Sequence, residues 1–175
     1  MPVLSRAERD AFLAEPGVLM RVAVVRDDGS PLVTPIWFLH DAEEDAIYFT
    51  PREKSEWFAC LRRDPRAALC IDEQPLPYRK VIAEGSAELV HDVGADDAWR
   101  DLYRRIASRY VPPEAAEAYV QNTIEQPRGL FRLALGSATV KSWRMPLEGE
   151  DQTGIWHERY FVPGTWGSPE GSERP

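Results

Sequence analysis

The chain is expected to fold as a mainly β protein: a small antiparallel barrel of about six strands, closed or nearly closed, with helices set against its outside. Three observations predict this. Runs rich in β-branched and aromatic residues recur at 18–26, 32–40, 46–50, 66–72, 79–90 and 130–143. Where one run follows another directly, the loop is about two to six residues, too short for the crossover a parallel pair needs. Helix-period segments fall only between or before these runs, so they decorate the sheet rather than build it.

Each element has a local reason. Ser5 and Glu8 stand at capping-box spacing and start a short helix running to Ala14, which Pro16-Gly17 stops. Residues 18–26 form a strand, and Asp27-Asp28-Gly29-Ser30 turns the chain into the next, 32–40. A polar loop, 41–45, leads into a third strand, 46–50. Residues 53–63 carry Trp57, Phe58 and Leu61 on one side and read as a helix, with Trp57 a core residue. It ends before Asp64-Pro65, because the residue ahead of a proline is steered out of helical backbone. Strands at 66–72 and 79–90 flank a loop containing Pro75 and Pro77. Trp99, Leu102, Tyr103, Ile106 and Tyr110 then recur at helical spacing. Beyond Pro112-Pro113, so do Ala116, Tyr119, Val120 and Ile124. Both stripes read as packing faces. The last strand, 130–143, follows Pro127-Arg128-Gly129. One domain is expected over 1–163, with 164–175, rich in Gly, Ser, Pro and Glu, as a frayed tail.

Composition narrows the function. With 21 Lys and Arg against 29 Asp and Glu, the net charge of the 175 residues is -8. That field repels nucleic acid and anionic lipid, yet it permits an anionic ligand in a local basic pocket. Cys60 and Cys70 form no CxxC, so neither a disulfide framework nor a zinc site is indicated. His40, His91 and His157 are scattered, which argues against a catalytic metal. The glycine fingerprint of dinucleotide sites, the phosphate loop and the nucleophile elbow are all missing. The start of the chain has no apolar leader core, and the longest apolar stretch, 18–25, is interrupted by Arg21. It is far too short to span a bilayer, so a cytoplasmic location is expected.

The order of segments carries more than any one motif. Val33-Thr34-Pro35-Ile36-Trp37-Phe38-Leu39 is followed by Tyr48-Phe49-Thr50-Pro51-Arg52-Glu53-Lys54-Ser55 and then by Leu61-Arg62-Arg63-Asp64-Pro65-Arg66-Ala67-Ala68-Leu69. Next come Pro77-Tyr78-Arg79-Lys80-Val81, Glu84-Gly85, Lys141-Ser142-Trp143 and Trp156-His157-Glu158-Arg159-Tyr160. From about Gly17 to Phe161 this succession resembles the pyridoxamine 5′-phosphate oxidase-like flavoproteins. The resemblance implies a six-stranded antiparallel split β-barrel, a homodimer, FMN as cofactor and oxidation–reduction of a small molecule. It assigns Val33, Thr34, Pro35, Ile36, Trp37 and Lys80 to the polar edge of the flavin ring. Thr50, Arg52, Lys54 and Ser55 go to the cofactor as well, the last three to its phosphate. Trp143 and Arg159 would reach the flavin from the partner subunit, and His157 and Ile155 would face the substrate.

The phosphate assignment has a physical basis. A near-dianion needs converging cationic and hydroxyl donors. Arg52, Lys54 and Ser55 lie where a strand ends and a helix begins, so unpaired helix N–H groups add to them. Aligned through Asp64-Pro65, the family's phosphate lysine falls on Trp57. Aligned through Phe49-Thr50 it falls near Lys54-Ser55, which alone supplies a charge. Two alternatives stay open: a deazaflavin coenzyme in the same fold, and a flavin or ligand store without turnover. No catalytic acid or base is marked. The true oxidases hold their substrate with an arginine where this chain has Ile155, so efficient oxidation of pyridoxine phosphate is not expected. Ile155-Trp156 suggests a flatter, more apolar substrate.

Overall fold

The structure, a computed structural model, describes residues 1–150. In chain order the elements are α1 (Arg6–Ala14), β1 (Met20–Val25), β2 (Pro31–Ile36), β3 (Phe38–Asp41), β4 (Ala46–Phe49), α2 (Glu56–Arg63), β5 (Arg66–Asp72), β6 (Lys80–Ser86), β7 (Glu88–His91), α3 (Arg100–Ser108), α4 (Pro113–Asn122), β8 (Leu130–Ala134) and β9 (Thr139–Trp143). Local chemistry sets the first of them. The Ser5 hydroxyl accepts from the Glu8 N–H, and the Glu8 carboxylate accepts from the Ser5 N–H at 2.7 Å. Between β1 and β2 the Arg26 N–H donates to the Ser30 carbonyl at 2.9 Å, with Gly29 at φ +81°, a conformation that costs glycine little.

All strand pairs are antiparallel and form two sheets, β2-β1-β5-β6-β9 and β3-β4-β8-β7. This corrects the expected single barrel of six strands. Three of the long runs each pass from one sheet to the other. The run 32–40 divides at Trp37 into β2 and β3, and 79–90 divides at Ala87 into β6 and β7. The run 130–143 divides at a 3-10 turn, Leu135–Ser137, into β8 and β9. The sheets do not close into one ring: β2 and β9 are the edges of the first, β3 and β7 of the second. Strands that bend at a corner let both sheets cover one core, as in packed orthogonal sheets.

That core joins Met20, Val22, Phe38, Phe49, Phe58, Leu69 and Phe131, with α1 seated against β3 and α2 against β1. Trp57 is in it, its ring 6.1 Å from that of Phe49. A second core, including Leu39, Tyr48, Trp99, Tyr103, Ile106, Val120 and Leu130, binds the α3–α4 pair to the second sheet. Ile124 departs from the expected stripe: α4 ends at Asn122, and the side chain beyond it is exposed. Just ahead of β8 the chain presses on α2, where a Cβ on Gly129 would come within 2.5 Å of the Phe58 ring. This close approach seats Arg128 between the strands and the helix pair. Among the described residues no helix is long and apolar enough to cross a membrane.

Candidate functional site

The bend at Trp37 builds the site. Its half-buried ring stacks on Tyr110, centroids 5.0 Å apart and planes within 3°, and meets Tyr119 at 5.0 Å and a tilt of 56°. The Tyr110 hydroxyl pins the corner, accepting from the Phe38 N–H at 3.1 Å and donating to the Val18 carbonyl at 2.9 Å. A cavity of about 310 Å³ opens beside it. Leu19, Pro35, Ile36, Trp37 and Thr50 form its strand side; Tyr103, Ile106, Tyr119 and Arg128 form its helix side. That size suits a small planar molecule or part of a larger one.

Few polar groups face this apolar space, and they are poorly satisfied. Thr50 is buried and its Oγ1 has no partner. Arg128 is 5% exposed, its guanidinium 4.6 Å from the centre of the Tyr103 ring and its Nε without an acceptor. Its Nη2 donates to the Tyr119 hydroxyl at 3.5 Å, and Nη2 of Arg52 donates to the same oxygen at 3.5 Å. An antiparallel bridge between Arg52 and Arg128 brings the two guanidiniums to one end of the cavity. Burial pushes the Tyr119 hydroxyl up, but hydrogen bonding with Tyr103 and the charges of Arg128 and Arg52 outweigh it and hold it below the ordinary tyrosine value. At Tyr103 burial prevails and holds the hydroxyl well above that value.

A second cavity, about 270 Å³, adjoins through Arg52 and is walled by Arg52, Glu53, Lys54, Glu125, Gln126 and Pro127. Arg52 and Lys54 are exposed there. The helix expected from residue 53 begins at Glu56, so both cations sit in the turn ahead of it. The Ser55 hydroxyl is spent on that turn, donating to the Arg52 carbonyl at 2.7 Å.

The expected site residues are therefore only partly brought together. Pro35, Ile36, Trp37 and Thr50 share one cavity, with Arg52 at its end and Lys54 beyond. Val33, 59% exposed, and half-buried Thr34 continue along β2, an edge strand paired only with β1. Lys80 and Trp143 stand directly opposite each other on β6 and β9, at the far side of the five-stranded sheet from β2. Trp143 is buried, with Val3 bridged to it. Ile155, His157, Arg159 and the segment 164–175 lie outside the described residues. Tyr103, Tyr119 and Arg128 enter the site without having been singled out for it. The two tyrosines read as packing faces, and Arg128 read as part of a turn.

A second cluster has a different character. The His40 Nε2 is buried without a hydrogen-bond partner, 3.8 Å from a carboxylate oxygen of Asp10 and 4.0 Å from one of Asp45. Arg9 already binds both carboxylates, at 2.7 and 2.5 Å, and supplies the positive charge that a metal ion would bring. The cluster is an ion-pair network holding α1 against β3.

A sequence model of the family described as pyridoxamine 5′-phosphate oxidase matches residues 5–144. The chain belongs to this family. Solved structures of similar fold include a conserved hypothetical protein, Rv2991, from Mycobacterium tuberculosis, with a TM-score of 0.63 and 22% identity over 87% of this chain and 95% of that one. The FAD and heme binding protein from Mycobacterium smegmatis gives a TM-score of 0.62 and 25% identity, covering 84% of this chain and 74% of its own. An F420 reductase gives 0.54 and 24%, covering 74% and 92%. The pyridoxamine 5′-phosphate oxidase fold is thus shared with proteins described as binding quite different cofactors, and the first and third likenesses speak to fold alone.

Proposed function

We propose that this member of the pyridoxamine 5′-phosphate oxidase family is an FMN-binding oxidoreductase acting on a small molecule. The observation that carries the reading is the cavity whose strand side is Pro35, Ile36, Trp37 and Thr50, with Arg52 at one end and Lys54 beyond it. The donor set fits a flavin phosphate: Arg52 and Lys54 lie on one turn beside a second hollow. The buried, unpartnered Thr50 hydroxyl costs about 1–3 kcal/mol unless a ligand group meets it. When bound, the flavin supplies the redox chemistry. The chain's own groups orient and shield. The open edge of β2 offers backbone groups to a ring's polar rim, Trp37 offers a flat face, and Leu19 and Ile36 keep water out.

Lys80 and Trp143 are remote from this cavity within one chain, so their part in a flavin site requires a second subunit. We accordingly propose a homodimer, with Trp143 and Arg159 donated across it. Light scattering should give twice the 19.9 kDa chain mass; a monomer at micromolar concentration overturns both assignments. The F420 reductase neighbour supports a second reading, a deazaflavin coenzyme in the same cavity.

Titration with each cofactor decides between them. FMN should bind, and Arg52→Ala combined with Lys54→Ala should weaken it roughly 10- to 100-fold, the worth of a charge-assisted phosphate contact. Unchanged affinity in the double variant places the phosphate elsewhere, and selective binding of the deazaflavin replaces FMN. With Ile155 where the true oxidases carry arginine, turnover of pyridoxine phosphate should stay far below about 10 per second.

A further inference from the structure

We infer that the helix side of the cavity is a carboxylate site for a planar aromatic molecule, with Arg128 as its anchor. Calling that molecule the substrate rests on the flavin reading; the site itself does not.

The starting point is the state of Arg128. Its side chain is buried among Tyr103, Tyr119 and the cavity, and no carboxylate pairs with it among the described residues. The acids nearby are committed. Glu117 binds Arg104 and Gln121, and Asp96 accepts from the backbone N–H groups of Arg128 and Gly94. A buried guanidinium faced only by a ring and a hydroxyl is an uncompensated charge, and such a group is costly unless an anion meets it.

The chemistry of the surroundings narrows that anion. The planar guanidinium fork matches the two oxygens of a carboxylate. One buried cation balances one negative charge. Arg52, the other guanidinium on Tyr119, is exposed and also walls the second cavity with Lys54. A phosphate, carrying nearly two charges, would meet two cations there, with Glu53 and Glu125 on the same wall. Apart from Thr50 on the strand side, the rest of the lining is aliphatic or aromatic, with Tyr103 and Tyr119 as flat walls on the helix side, so the body of the ligand is planar and apolar.

The test uses 2-naphthoate and its neutral isostere 2-naphthamide, titrated calorimetrically into the protein with and without added FMN. Naphthoate should bind roughly 10- to 100-fold more tightly than the amide. Arg128→Gln should bring the two to equal affinity while leaving FMN affinity within about twofold. The Arg52→Ala, Lys54→Ala double variant should do the reverse, losing FMN and retaining the preference for naphthoate. Equal affinities in the natural protein, no naphthoate binding at millimolar concentration, or a preference that survives Arg128→Gln overturns the site. Loss of FMN binding in Arg128→Gln with the preference intact also overturns it, by placing the cofactor phosphate at Arg128. If Arg128→Gln does not fold, Arg128→Met takes its place and should likewise bring the two affinities together; a preference that survives in that variant is equally fatal. Should FMN bind no form of the protein, the flavin reading fails and the naphthoate ratio still decides the site.

Discussion

Arg109 and Arg128 are both withdrawn from water and both lie over aromatic rings, yet they are treated differently. Arg109 leaves the end of α3, sits 4.5 Å over Phe38, and donates through Nη2 to the carbonyls of Leu13 at 2.7 Å and Glu15 at 2.9 Å. Those carbonyls terminate α1, where helical dipoles gather negative charge. The cation is thus answered by the helix end it binds, and it ties α1, α3 and β3 together. Among the described residues Arg128 has the ring but no carbonyl: its outer nitrogen reaches only the Tyr119 hydroxyl. Each also keeps a buried Nε without an acceptor, so the contrast lies in the outer nitrogens. A buried cation supplied with acceptors holds a fold together, whereas one left without them is suited to meet a ligand.

The largest effect is expected at the satisfied arginine. Arg109→Met strands two carbonyls at the end of α1 and removes charge-assisted bonds, so it should cost about 3 kcal/mol in urea unfolding. Burial already pushes the Arg109 pKa down, with Tyr110 opposing it. A loss under about 1 kcal/mol would put Arg109 on the same footing as Arg128 and dissolve the contrast.

A smaller effect is expected at His40, a third buried cationic group, this one kept neutral. Burial pushes its pKa below the ordinary 6.5 and Arg9 and Arg109 push the same way, while Asp10 and Asp45 oppose them. The unfolded chain therefore takes up this proton first as pH falls through about 6.5, so folding stability is full above that value and declines below it. The decline cannot exceed about 1.4 kcal/mol per pH unit. Urea midpoints of the natural protein and His40→Gln should converge as pH drops from about 7 to 5.5. A gap that stays constant means that His40 titrates alike in both states.

How much of this was readable in the sequence follows the range of the interactions involved. The Ser5–Glu8 cap, the Asp27–Ser30 hairpin and the strand 66–72 are settled by neighbours in the chain, and they stand where expected. The corners at Trp37 and Ala87 leave no such mark, because both halves of each run face one core and the apolar pattern continues through the bend. The third corner, the 3-10 turn Leu135–Ser137, divides a run that reads as one strand, 130–143. At the site, Pro35 to Trp37 and Thr50 were legible through family resemblance. An arginine between Pro127 and Gly129 reads as a solvated turn residue. Only the folding of α3 and α4 over it, together with the tight seat of Gly129 on Phe58, takes it out of water.

The smallest effect, and the sharpest test of the comparison, belongs to Arg128→Met. Methionine keeps the length of the side chain and its packing on Tyr103 but removes the charge. No carboxylate or carbonyl is left stranded, since the hydrogen bond that disappears ends on a hydroxyl that Arg52 also reaches. Replacing an uncompensated buried charge by an apolar group of similar volume is often neutral or stabilising. The variant should therefore unfold within about 1 kcal/mol of the natural protein, or above it, while Arg109→Met falls well below. Added naphthoate should raise the midpoint of the natural protein and leave that of Arg128→Met unmoved, because a ligand stabilises only the state that binds it. A loss of about 3 kcal/mol at Arg128 would mean that its contacts with Tyr103 and Tyr119 satisfy it as fully as two carbonyls satisfy Arg109. The cavity would then hold a structural cation rather than one reserved for an anion.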